Sequence, residues 1–149
     1  MRDPSEGASE SAVSGLDHVQ LAIRIGGEAA ARAFYGDLLG LTEVAKPEPI
    51  ASRGGCWFIG PGGIAIHLGA DENFRPARKA HIALVVRDPD ALRTRLRRSG
   101  VETRDDDAMV GVRRFYALDP FGNRLELVDE RDARFTERQR ERQTGSPPR

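Results

Sequence analysis

The feature that most restricts this chain is a repeat. His18-Val-Gln-Leu-Ala-Ile23 and His81-Ile-Ala-Leu-Val-Val86 superimpose as alternating stretches, each followed by an amphipathic segment ending in glycine, at Gly40 and Gly100. Val19, Leu21 and Ile23 share one face opposite His18, Gln20 and Ala22, and Ile82, Leu84 and Val86 oppose His81, Ala83 and Val85. A period of two marks a strand with one buried face. Between Glu28 and Leu39 the apolar residues Ala30, Ala33, Phe34 and Leu38 take helical spacing, and Gly40 suits a helix end. In the second half Asp88-Pro89-Asp90 supplies an N-cap and a proline for the first turn, and Leu92 and Leu96 form the buried stripe. Three strand-like stretches follow each helix, at 42–46, 55–59 and 64–68, then at 101–104, 113–118 and 124–129. Each half therefore reads β-α-β-β-β. The expected class is α+β, with two such modules in pseudo-twofold arrangement.

The modules run from about 15 to 69 and from about 80 to 130, with a polar connector at 70–79. Residues 1–14, dominated by Ser, Gly, Ala and Glu, read as a disordered tail, and 131–149 as a charged one, either a frayed helix or disordered. The first residues lack the basic and apolar regions of a signal peptide, and no apolar run spans a bilayer. A cytoplasmic protein without a membrane partner is expected. Lys and Arg number 23, matching 23 Asp and Glu, so nucleic acid is not an expected partner. The local cluster Arg93, Arg95, Arg97 and Arg98 reads as a solvated helix face. The single cysteine, Cys56, excludes an internal disulfide and a Cys-cluster zinc site.

The chemistry centres on Glu126. It follows the turn Asp119-Pro-Phe-Gly122 and sits mid-strand between Leu125 and Leu127, where a carboxylate needs a partner. Arg114 or Arg124 could serve as that partner. The joint pattern points elsewhere, because all three histidines of the chain, His18, His67 and His81, share with Glu126 the face opposite the aliphatic residues. Each module contributes one of the four from its first strand and one from its last, at nearly equal offsets. Three imidazoles and a carboxylate converging on a common cleft would hold a divalent cation, with coordination positions left for substrate oxygens. Such a cation polarises a carbonyl, lowers the pKa of water or binds dioxygen. Gln20, Arg114, Tyr116 and Arg124 point into the same cleft if their strands hold register, as substrate-binding candidates. Of Trp57 and Phe58 one faces the cleft and the other the core. Cys56 shares a face with Phe58 and has no cationic neighbour in sequence to activate it.

Five segments in order, Leu16-Asp-His18-Val-Gln-Leu-Ala-Ile, Ala33-Phe-Tyr-Gly-Asp-Leu-Leu-Gly-Leu41, Ile64-Ala-Ile-His67-Leu, Ala80-His81-Ile-Ala-Leu-Val and Asp119-Pro-Phe-Gly-Asn-Arg-Leu-Glu126-Leu, resemble the vicinal oxygen chelate superfamily. That superfamily includes glyoxalase I, extradiol dioxygenases, fosfomycin-resistance proteins and bleomycin-binding proteins. The resemblance covers about 15–130 and implies paired βαβββ modules forming a U-shaped cleft around one divalent metal, Zn, Ni, Mn or Fe. It also implies a homodimer, since such clefts are often built across two copies with modules exchanged.

Position by position, His18 and His81 match the histidine ligands of the two first strands, and Glu126 the carboxylate ligand. His67 falls where glyoxalase I has a metal-binding glutamate, and exchanging that carboxylate for an imidazole makes the centre more positive and better suited to anionic oxygens. The function implied is a metal-dependent enzyme of the glyoxalase or lyase type, chelating a small vicinally oxygenated substrate, with Glu126 and His67 as catalytic residues. Two alternatives stand beside it. One is an Fe(II) extradiol-type dioxygenase using His18, His81 and Glu126, with His67 as a neighbouring acid or base. The other is a non-catalytic drug- or metabolite-binding module of the bleomycin-resistance kind.

Overall fold

A computed structural model describes residues 11–132. The expectations for the two tails fall largely outside these residues. In the first half, β1 (Val19–Arg24) leads into α1 (Glu28–Ala31), which continues as a π-helical stretch, Arg32–Leu38. Then come β2 (Thr42–Val44), α2 (Glu48–Ala51), β3 (Cys56–Gly60) and β4 (Ile64–Asp71). The second half runs β5 (His81–Val86), α3 (Pro89–Arg98), β6 (Thr103–Asp105), β7 (Arg114–Leu118) and β8 (Arg124–Asp129). The strands form two four-stranded sheets with orders β1-β4-β3-β2 and β5-β8-β7-β6.

In each sheet the first and last strands are adjacent and parallel, which requires a long crossover between them. This topology explains why residues far apart in sequence become neighbours. Gln20 lies opposite His67, and Ala83 opposite Glu126. The two-module α+β architecture expected from the repeat is the one observed.

Local chemistry accounts for the elements. Asp88 caps α3, its Oδ1 accepting from the Ala91 N–H at 2.9 Å, and the helix buries Pro89, Leu92 and Leu96. Its arginine face is ion-paired as well as solvated: Arg93 meets Asp90 and Asp105, and Arg97 meets Thr103 and Asp105.

Three features depart from simple periodicity. The Leu39 N–H reaches back to the Phe34 carbonyl, a π-helical bond at 3.0 Å. That widened turn brings the adjacent Phe34 and Tyr35 both into the core, while Ala33 is exposed. The prolines at 47 and 49 do not simply break the chain, because Pro49 sits in the first turn of α2, where its missing N–H has no intrahelical acceptor to lose. Strand β4 continues to Asp71, since its pairing with β1 runs on to Arg24.

The core combines Ile23, Phe34, Tyr35, Phe58, Ile66 and Leu68 with Leu96, Phe115, Leu125 and Leu127. The modules meet at the turn before β8. Asp119 Oδ1 accepts from the Phe121 and Asn123 N–H groups, both at 2.8 Å. Its Oδ2 accepts from the Tyr35 hydroxyl at 2.8 Å and from Asn123 Nδ2 at 2.9 Å, and Asn123 Nδ2 also donates to the Ala22 carbonyl at 2.9 Å. Burial, then the Asp119 charge, raise the Tyr35 pKa, so the phenol stays a donor. Gly122 takes φ +88° in this turn, and the Phe121 ring packs so close to Gly27 that a Cβ there would lie 2.5 Å from it. Each hydrogen bond to a charged group contributes about 1.5–3 kcal/mol, so Asp119 is a strong fastening point. Among the described residues no helix is long and apolar enough to cross a membrane.

Candidate functional site

His18 stands at the entry to β1. Its Nδ1 donates to Asp17 Oδ1 at 2.5 Å, and this bond, then the charge of His18, lower the Asp17 pKa. His67 lies on β4 directly opposite Trp57 of β3. Its ring is sandwiched: the Trp57 ring is 3.7 Å away with an interplanar angle of 2°, and the His18 ring 4.1 Å away at 20°. Imidazole nitrogens present their lone pairs in the ring plane. Two imidazoles stacked nearly parallel therefore direct those lone pairs along separate planes and not toward one point. Burial, then the neighbouring His18, hold the His67 pKa below its ordinary value, favouring the neutral ring. Trp57 takes the face of β3 that stacks on His67, while Phe58 and Cys56 are in the core.

The second module builds a different pair. His81 Nδ1 donates to the Lys79 carbonyl at 2.9 Å, so its Nε2 faces Glu126 Oε2, also at 2.9 Å. Glu126 Oε1 accepts from Arg114 Nη1 at 2.8 Å, and Arg114 Nη2 donates to Asp106 at 3.0 Å. The Arg114 and Glu126 side chains are 12% and 11% exposed, so the pair is substantially dry. The buried Nε of Arg114 has no hydrogen-bond partner. Tyr116 meets His81 edge-on at 5.6 Å, and the Arg124 guanidinium lies 3.8 Å over the Tyr116 ring. Gln20, in the first module, packs its amide against Gly69, beside His67.

The four candidate ligands thus form two pairs, His18 with His67 and His81 with Glu126. Among the described residues no three His, Cys, Asp or Glu side chains are placed to hold one metal ion. Glu126 does have an arginine partner, Arg114, together with His81.

Chemically the donors still suit a cation. With Nδ1–H committed to a carbonyl, His81 Nε2 can face a carboxylate oxygen favourably only through a proton or a cation. Two neighbouring ligands, each about 2.0–2.2 Å from a zinc-sized ion at roughly a right angle, would be spaced much as these two atoms are. Both first-strand histidines also have Nδ1 anchored by an acceptor, the outer-shell bond that metal-ligating histidines usually make. Sequence reading missed Asp17, the Lys79 carbonyl and the Trp57 stack. Only Asp17 left a trace, as an acidic residue adjoining a strand histidine.

Cys56 is buried in the core, and burial pushes its thiol up to about 11, which makes it a poor nucleophile in the folded chain.

The profile of the glyoxalase/bleomycin resistance protein/dioxygenase superfamily matches residues 15–127. A solved structure from Bacillus anthracis, assigned to the glyoxalase family, is 46% identical, with 80% of this chain and 98% of that one covered and a TM-score of 0.76. FosX, a fosfomycin resistance protein from Listeria monocytogenes, is 21% identical, with 78% and 93% covered and a TM-score of 0.65. TnmS3, an antibiotic binding protein from Streptomyces sp. CB03234, is 21% identical, with 80% and 98% covered and a TM-score of 0.61. At that identity the last two show the shared fold alone. No curated protein matches the sequence. On the profile and the Bacillus relative, the chain belongs to the glyoxalase/bleomycin resistance protein/dioxygenase superfamily.

Proposed function

We propose that the protein is a divalent-metal-dependent enzyme of the glyoxalase or lyase type, with a centre assembled in a homodimer from His18 of one copy and His81 with Glu126 of the other. The observation that carries this reading is the matched anchoring of His18 and His81 through Nδ1, which leaves Nε2 of each as the nitrogen available to a ligand, that of His81 beside Glu126 Oε2. When bound, the cation would polarise a substrate carbonyl and acidify water. Arg114 fixes one oxygen of Glu126, so the other keeps a constant position beside His81 and can accept a proton from substrate. His67, neutral and held between two rings, is better placed as a nearby acid or base than as a fourth ligand. Gln20, Tyr116 and Arg124 orient the substrate.

Zn, Ni, Mn and Fe all accept this donor set, and metal analysis after loading distinguishes them; oxygen uptake with catechols by the iron form would turn the assignment to a dioxygenase. The dimeric centre is tested by mixing. His18→Ala and Glu126→Ala homodimers should each bind no metal, while the heterodimer formed on mixing them regains one of its two sites. No recovery on mixing, with each parent folded, would refute the shared centre.

A second reading has one observation in its favour. Arg114 neutralises Glu126 as it would any structural carboxylate, which suits a metal-free binding module. Purified protein that takes up no metal at all would establish that reading.

A further inference from the structure

The two arginines nearest Glu126 are in contrasting states. Arg114 is committed to Glu126 and Asp106. Arg124, which precedes Glu126 by two residues and shares its strand face, makes no ion pair or hydrogen bond among the described residues. Its guanidinium carbon instead lies over the Tyr116 ring, 3.8 Å from the centroid. Stacking fixes the plane of a guanidinium while leaving the N–H edge free, which pre-organises it for a planar or tetrahedral oxyanion. The sheet register places Arg104 opposite Tyr116 and Leu118 opposite Arg124. Arg104, also without an ion pair among the described residues, lines with Glu102, Tyr116, Leu118 and Arg124 a cavity of about 160 Å³.

The charge and the size of this cavity both bear on its occupant. Two guanidiniums against one carboxylate, Glu102, leave it net positive. Pockets that enclose a whole ligand run from about 300 to 1,000 Å³. The space therefore suits one functional group of a ligand. Position limits the ligand further, because Arg124 is the cross-strand partner of His81 and neighbouring strands lie about 4.8 Å apart. An oxyanion here sits beside Tyr116, whose ring meets His81 edge-on at 5.6 Å.

We propose that Arg124, seated on Tyr116, and Arg104 form a subsite for an anionic group of the substrate, a carboxylate or a phosphoryl group, carried on a short chain beside the chelating oxygens. The chelating oxygens rest on the metalloenzyme reading; the anion subsite itself does not require the metal. The test therefore uses metal-free protein at low ionic strength, titrated calorimetrically with inorganic phosphate and, separately, with acetate. Saturable binding of at least one anion is expected, weakened tenfold or more in Arg124→Gln and in Arg104→Gln. Arg124→Lys should be intermediate, and Arg95→Gln, on the exposed face of α3, unchanged. Tighter phosphate than acetate assigns a phosphoryl substrate, and the reverse a carboxylate. Absence of saturable binding, or equal binding by wild type and a folded Arg124→Gln, overturns the subsite. Phosphate or acetate binding that survives in a protein unable to take up metal would reject the metal centre and leave the subsite standing.

Discussion

Replacing His67 by phenylalanine separates its stacking from its nitrogen chemistry. The ring makes two face contacts, at 3.7 Å with Trp57 and 4.1 Å with His18. Stacked aromatic pairs contribute about 0.5–1.5 kcal/mol each beyond burial, so His67→Ala should lower stability by roughly 1–3 kcal/mol while His67→Phe retains most of it. The larger distinction is in metal affinity. A group that only orients a ligand changes affinity by about 10- to 100-fold when removed. The alanine variant, which leaves His18 unsupported, should fall in that range, and the phenylalanine variant, which preserves the stack, within about tenfold of wild type. Competition against a chromophoric chelator measures all three proteins, with His18→Ala as the reference for a lost ligand. Loss of the acid or base nitrogen should lower turnover by about 10²–10⁴ in His67→Phe while its metal is retained. If His67→Phe loses metal as completely as His18→Ala, the stacked arrangement is not the functional one and His67 is a ligand.

Arg114→Met should destabilise the metal-free protein by about 2–3 kcal/mol, less than the 3–5 kcal/mol for breaking a buried pair outright because His81 remains on Glu126; urea unfolding measures it. Saturating metal should recover part of that loss, since a cation replaces the missing guanidinium. Asp129 is fully buried, and its side-chain bond to Arg131, then the Arg131 N–H, hold its carboxyl down at about 2 against an ordinary 3.8. A depressed carboxyl stabilises the fold above its unfolded value, so this contribution is complete above pH 4 and disappears as pH falls toward 2. Arg131→Gln should accordingly move the acid-unfolding midpoint, followed by circular dichroism, to higher pH. Cys56, buried and with its thiol near 11, should resist a disulfide reagent at pH 8 in the folded protein and react fully once unfolded.

Alternation and repetition made the two intramodule pairs readable. Parity placed His67 and Glu126 on the correct face, and the duplicated βαβββ pattern implied that first and last strands would be neighbours. Parity has no power over the choice between Trp57 and Phe58, because both faces of β3 were apolar enough to be buried. Nor could it choose between Arg114 and Arg124 for Glu126, since both point the same way and only side-chain reach across the sheet separates them. The π-helical turn was hidden because an inserted backbone register leaves no mark in apolar spacing, and Tyr35 was lost with it. Convergence of four ligands is a statement about how two sheets are set against each other. Alternation within strands carries no information on that.

The fastening at Asp119 has a kinetic meaning. Its bond from Tyr35 closes 84 residues of chain, and the one from Asn123 to Ala22 closes 101, whereas His81 and Glu126 are 45 apart. Contacts of such long sequence separation carry a larger loop-closure cost than those within one sheet. Each sheet should therefore be able to assemble before the two are joined, and Asp119 acts mainly on the rate of coming apart. Weakening it would leave two intact halves that separate often, and at high protein concentration each half could be recaptured by the wrong chain. The buried bonds that Tyr35 and Asn123 make would then help set how long a molecule keeps its own halves together.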